Sequence, residues 1–176
     1  MSDDEFPPRV LVLLRHATAE APTGTPADLD RPLSPRGHAE AAAAGSWLAG
    51  KRRLPDEVIC SPARRTRQTW HDVASAVADG GTDEQIPAPV IRYEPAVYRD
   101  PADELLDLVR GAAPDARTVL VVGHNPQISR LSALLASDTG GELPPSGIAV
   151  HEVTTQWAKL SPGSAPVTER HQPPVT

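Results

Sequence analysis

The chain has 176 residues, 39% hydrophobic and 23% charged, which is ordinary for one globular domain with a sizeable buried core. A net charge of −6, with Lys51 and Lys159 as the only lysines, argues against a nucleic-acid or anionic-membrane binder. Cys60 is the single cysteine, so no intrachain disulfide can form; the acidic start lacks a signal peptide's pattern, and no apolar run approaches the ~18 residues of a membrane span, so a cytoplasmic location is expected.

The first eight residues read as a flexible N-terminus, 9–160 as the folded domain, and 161–176 as a Pro-rich tail, mobile or packed as an edge strand around Val167. Val10 to Leu14 is an unbroken aliphatic run, the signature of a strand covered on both faces of a parallel sheet. It ends in Arg15-His16. A loop with Pro22, Gly24 and Pro26 leads to Ser34-Pro35, an N-cap followed by proline in the first helical turn. The helix it opens is expected to turn Ala39, Ala42, Ala43, Trp47 and Leu48 inward and to stop at Gly50.

Glu57 to Cys60 is a short strand, and Ser61-Pro62 repeats the cap-plus-proline signal for a helix carrying Trp70, Val73 and Val77. Val90-Ile91 is a further strand, and Asp100-Pro101 is expected to open a third helix bearing Leu105, Leu106, Leu108 and Val109. A second fully aliphatic strand, Val119 to Val122, ends in Gly123-His124-Asn125-Pro126, where Asn125-Pro126 is expected to cap a helix with Ile128, Leu131, Leu134 and Leu135. Residues 147–153 alternate apolar and polar as a half-covered or edge strand would, with 157–160 as its expected partner. Strands alternating with helices imply a three-layer α/β/α sandwich on a mostly parallel sheet, in a single domain.

In such folds ligands bind at the carboxyl edge of the sheet. Here three strands deliver Arg15-His16, Ser61 and His124 to that edge. Arginine forks and helix N-terminal amides suit phosphoryl oxygens, and a neutral imidazole can attack phosphorus in line. Neighbouring arginines disfavour the protonated imidazole and argue against a metal at these histidines. Ser61 reads as a helix cap, Arg31 and Asp30 as a pair shaping the loop, Arg64 and Arg67 as surface residues, and His38, His71, His151 and His171 as solvated or packing residues.

Leu14-Arg15-His16-Ala17, Ser61-Pro62-Ala63-Arg64-Arg65-Thr66-Arg67-Gln68-Thr69 and Gly123-His124-Asn125-Pro126 resemble the three signatures of the histidine phosphatase superfamily. Asp30-Arg31-Pro32-Leu33-Ser34-Pro35-Arg36-Gly37 is similar to a segment of its small SixA-type branch of phosphohistidine phosphatases. The resemblance runs from about Arg9 to Leu160 and implies a phosphoglycerate mutase-like fold. It implies His16 as the nucleophile that becomes phosphorylated, Arg15 and Arg65 as phosphate ligands, and His124 as a second pocket histidine donating to the transferring group. It implies no cofactor and no metal.

Family members that cleave alcohol esters carry an acid in a Gly-x-Trp-Glu-Gly stretch. The corresponding region here, Tyr93 to Asp100, lacks that pattern, and Glu94 is its best positional match. An alkoxide needs a proton as it leaves, whereas the protonated imidazole of phosphohistidine leaves readily, so the weak acid position favours an N–P substrate. The expected partner is a phosphohistidine-bearing protein acted on by a monomer. A small phosphate ester with Glu94 as acid, or a phosphate-binding module without turnover, are the alternatives.

Overall fold

The computed structural model describes residues 8–24, 27–80, 87–99, 102–138 and 140–174. Six strands form one sheet: β1 (Arg9–Arg15), β2 (Glu57–Cys60), β3 (Val90–Tyr93), β4 (Thr118–Gly123), β5 (Ile148–Val153) and β6 (Val167–His171), in the spatial order β3-β2-β4-β1-β5-β6. Pairing is parallel for β2 with β3 and β4, and for β1 with β4; β5 is antiparallel to both β1 and β6. Five strands therefore share a direction and β5 alone is reversed.

The period-two alternation of the aliphatic runs divides the core between two faces. Leu11 and Leu13 of β1, with Val119 and Val121 of β4, pack against α4 (Ala102–Arg110) and α5 (Gln127–Ala136) through Leu105, Val109, Ile128, Leu131 and Leu135. Val12, Leu14, Leu120 and Val122 point the other way, onto Ala44 and Leu48 of α1 (Pro35–Gly50) and Trp70 and Val73 of α2 (Arg64–Asp79). Each buried aliphatic side chain contributes roughly 1.5–3 kcal/mol. Helices thus cover both faces of the sheet, as a three-layer α/β/α sandwich.

Three expectations are corrected here. The buried face of α1 is Gly37, Glu40, Ala41, Ala44, Gly45 and Leu48, while Ala39 is exposed and Ala42, Ala43 and Trp47 are only partly covered. Alanine at nearly every position carries no phase; the close approaches of Gly37 to Thr18 and of Gly45 to Val73 set it instead. α2 begins at Arg64 rather than at Pro62, with Ala63 as an N-cap that makes no side-chain hydrogen bond. Strand β5 is interior, because β6 rather than 157–160 pairs with its outer edge; Trp157–Lys159 is a 3-10 turn whose Trp157 indole donates to Ala116 O at 2.7 Å. Its one inward polar residue, His151, is wholly buried yet bonded to Ser132 Oγ and Ala165 O, both at 2.8 Å.

Smaller differences follow at the helices. The Asp100-Pro101 helix start lies outside the described residues; a short helix α3 (Ala96–Arg99) precedes α4. Asn125 does not cap α5: its Oδ1 accepts from Ser129 Oγ within the helix, and Leu134 stays at the surface.

Candidate active site

The strand ends converge as the topology requires. β1, β2 and β4 finish side by side, so His16 and Ser61 follow into backbone bonds with the end of β4 (His16 N to Gly123 O, 3.0 Å; Ser61 N to Val122 O, 3.1 Å). The reversed β5 starts at the same edge, where Arg15 N donates to Gly147 O and Ser146 N to His16 O, each at 3.1 Å. Arg15, His16, Arg65 and His124 are thereby brought into one cluster.

His16 Nδ1 lies 2.7 Å from Ala17 O. A carbonyl only accepts, so Nδ1 carries the proton and Nε2 keeps its lone pair. Burial, and then the nearby Arg65, Arg15 and Arg31 cations, hold the imidazole down to about 4. It is neutral at pH 7. The segment beyond it is fixed from several sides: Ala17 N donates to Thr69 Oγ1 at 3.1 Å, and Thr18 N to Glu40 Oε2 at 3.0 Å.

His124 is 6% exposed, its ring centroid 5.2 Å from that of His16. Burial first, then His16 and Arg65, lower it to about 3. Its Nε2 is 2.8 Å from Ser61 Oγ. Ser61 is therefore not the helix cap it resembled; it is wholly buried against the histidine.

Arg15 Nη1 donates to Leu143 O at 2.9 Å, and burial lowers its pKa. Arg65, on the first turn of α2 and 5% exposed, donates from Nη1 to Asp28 O at 2.8 Å and from Nη2 to Asp28 Oδ2 at 3.1 Å. Asp28 also accepts from Tyr98 OH at 2.7 Å and pairs with Arg31 at 3.1 Å. Arg31 thus pairs with Asp28, not with Asp30. The Tyr98 hydrogen bond, then Arg31 and Arg65, hold the Asp28 carboxyl down at about 2. Tyr98 stands edge-on to His124, centroids 5.5 Å apart.

Asp28 and Tyr98 were not among the expected site residues. Asp28 stands just upstream of the Asp30 to Gly37 segment, and Tyr98 follows the Glu94-Pro95 turn, so neither marks the end of an apolar strand. Glu94 sits just beyond β3, its Oε1 3.5 Å from Arg92 Nη1, and is not joined to either histidine by the bonds that hold the cluster together. Arg64 and Arg67 face solvent, and Cys60 is buried with its thiol pushed up to about 12, chiefly by burial. Among the described residues, no group of three His, Cys, Asp or Glu is placed to hold a metal ion, and no helix is long and apolar enough to cross a membrane. Chemically, the cluster is a neutral nucleophile ringed by two guanidiniums and a second neutral imidazole, a setting for an anionic, electrophilic group.

Comparisons with known proteins agree. Residues 11–86 match the profile of the Histidine phosphatase superfamily (branch 1). An uncharacterized protein of Mycobacterium tuberculosis is 38% identical over 170 residues, covering 91% of this chain and 99% of the relative. A solved structure from Nakamurella multipartitia, provisionally named phosphohistidine phosphatase SixA, superposes with a TM-score of 0.80 at 32% identity, covering 96% of this chain and 99% of that one. A protein from Agrobacterium tumefaciens under the same provisional name gives 0.76 at 26% identity, covering 96% and 100%. The fold is thus phosphoglycerate mutase-like, and the chain belongs to the histidine phosphatase superfamily, in its SixA-type branch.

Proposed function

We propose that the protein is a phosphatase that works through a phosphorylated His16 and acts on phosphohistidine carried by another protein. The observation that carries this reading is the His16 Nδ1 bond to Ala17 O, which leaves a neutral Nε2 beside Arg15, Arg65 and His124. In the first step Nε2 attacks phosphorus; a P–N bond forms to His16 as the bond to the substrate imidazole breaks, and that imidazole, already protonated on its other ring nitrogen, takes the bonding pair and leaves neutral. In the second, water adds its oxygen to phosphorus and gives its proton to solvent; the His16–P bond breaks, Nε2 recovers its electron pair, and inorganic phosphate departs. Arg15, Arg65 and His124 stabilise the charge on the transferring oxygens, where losing one preorganised donor typically costs about 2.7–4 kcal/mol.

The reading of the substrate class rests on the carboxylates that the described residues place near the cluster. The carboxylate tied into the cluster, Asp28, sits at about 2 and holds no proton near neutrality, and Glu94 is paired with Arg92. An imidazole that already carries a proton on its distal ring nitrogen needs no donor from the site, and suits this arrangement better than an alkoxide. The SixA names of the structural relatives point the same way.

The test is phosphate release from a phosphohistidine-bearing protein and from an aryl phosphate, with His16→Ala as control. Preference for the former, abolished by the substitution, is expected. Undiminished turnover in His16→Ala would refute the covalent mechanism. Faster cleavage of the ester, lost in Glu94→Gln, would refute the substrate class.

A further inference from the structure

Ser61 is wholly buried at the end of β2, and its hydroxyl has two neighbours among the described residues. Ala63 N–H donates to Oγ at 3.2 Å, and His124 Nε2 lies 2.8 Å away. Thr66 Oγ1 donates to the Ser61 carbonyl instead, so it does not compete for the hydroxyl. One lone pair is thus taken by Ala63, and the hydroxyl proton has a single acceptor within reach. Were the His124 proton on Nε2, it would point at Oγ and leave the serine proton a buried donor without an acceptor. With the hydroxyl donating, both groups are satisfied.

The opposite ring nitrogen, His124 Nδ1, is buried and has no hydrogen-bond partner; the same holds for Arg15 Nε and Arg65 Nε. Three unpartnered nitrogens on three side chains of one cluster are an incomplete hydrogen-bond set, of the kind a tetrahedral anion completes. We infer that Ser61 is a positioning residue: by donating to His124 Nε2 it fixes the neutral tautomer with the proton on Nδ1, and so presents an N–H donor to a phosphoryl oxygen. Serine at this position then acts on catalysis through the histidine, without touching substrate.

The experiment has two arms. The first is 15N NMR of histidine-labelled protein near pH 7 without substrate, with His124 assigned by His124→Ala. Protonated Nδ1 and bare Nε2 are expected in the wild type, and loss of that preference in Ser61→Ala. A wild-type His124 protonated on Nε2 overturns the inference, and this spectrum decides even if Ser61→Ala does not fold. The second arm rests on the phosphatase reading: Ser61→Ala lowers kcat about ten- to a hundredfold with KM little changed, less than the ~10²–10³-fold of losing a donor outright. Adding Ser61→Ala to His124→Ala should then cost nothing further; a full independent loss in the double variant also overturns it. Because the first arm needs no turnover, failure of the phosphatase reading shows only in the second.

Discussion

Gly37→Ala should both destabilise the protein and impair the site, whereas Gly50→Ala in the same helix should stabilise it. A Cβ on Gly37 would lie 2.0 Å from Thr18 O and 3.0 Å from Thr18 C, backbone atoms that cannot rotate away. The Thr18 peptide would have to retreat by more than about 1 Å to reach an ordinary contact distance. Resisting that movement are Ser34 N and Ser34 Oγ, which donate to Thr18 O at 3.0 and 3.1 Å, and Glu40, which accepts from Thr18 N. Overpacking of this kind costs about 1–3 kcal/mol, and one or two weakened hydrogen bonds add about 1 kcal/mol each. The gain from replacing a helical glycine offsets about 0.5–1 kcal/mol. The net expectation is a loss of roughly 2–3 kcal/mol. Thr18 stands two residues beyond His16, and a misplacement of about 1 Å can cost ~10²-fold in rate. At Gly50 an added Cβ meets nothing within 4 Å, so only the helical gain of about 0.5–1 kcal/mol remains. Urea unfolding midpoints of the two variants, with phosphate release at saturating substrate, decide it. A Gly37→Ala protein as stable as wild type would refute the packing argument. One that loses stability but keeps full turnover would refute the link from α1 to His16.

Two further expectations concern protonation and a buried carboxylate. His16 and His124 should titrate near 4 and 3 rather than near the ordinary 6.5, so their imidazole C–H resonances should stay near neutral positions from pH 8 to about 5; midpoints near 6.5 would contradict the burial argument. By linkage the unfolded chain binds more protons than the folded one between those values, so stability rises with pH through this window and is lost as pH falls. Glu57, 5% exposed, joins Arg92 Nε at 2.7 Å to Ala113 N at 2.9 Å; Glu57→Ala should cost about 1–3 kcal/mol by leaving that N–H unpaired, and an unchanged melting temperature would be inconsistent with the bridge.

Much of this architecture was legible because β1 and β4 are unbroken aliphatic runs, which only a doubly covered sheet can accommodate. Once they are parallel neighbours, Arg15-His16 and His124 must meet at one edge, and the site core follows from topology. What stayed hidden depends on tertiary approach rather than on local pattern. Nothing in the local sequence marks Asp28 or Tyr98, since their role arises only when Arg65 and Tyr98 both reach across to Asp28. Ser61-Pro62 carries a genuine capping signal, but the strand end buries the serine against His124 before the helix begins. The alternation in β5 suggests a half-covered or edge strand, whereas β6 pairs with its outer edge, and Ser132 and Ala165 satisfy the one polar side chain that points inward.

The reversed strand also sets when the pocket can exist. Arg15 leans on Leu143, and the backbone around His16 is clasped by Ser146 and Gly147, so the wall of the site is drawn from chain more than 120 positions later. During vectorial synthesis His16 leaves the ribosome well before these residues, so its enclosure must wait for the hairpin of β5 and β6 to dock on the free edge of β1. Such distant pairings form slowly because loop closure precedes their reward. Before that docking a ribosome-bound chain exposes His16 as an ordinary, solvated histidine, and the cluster is assembled only once the segment through β6 has been made.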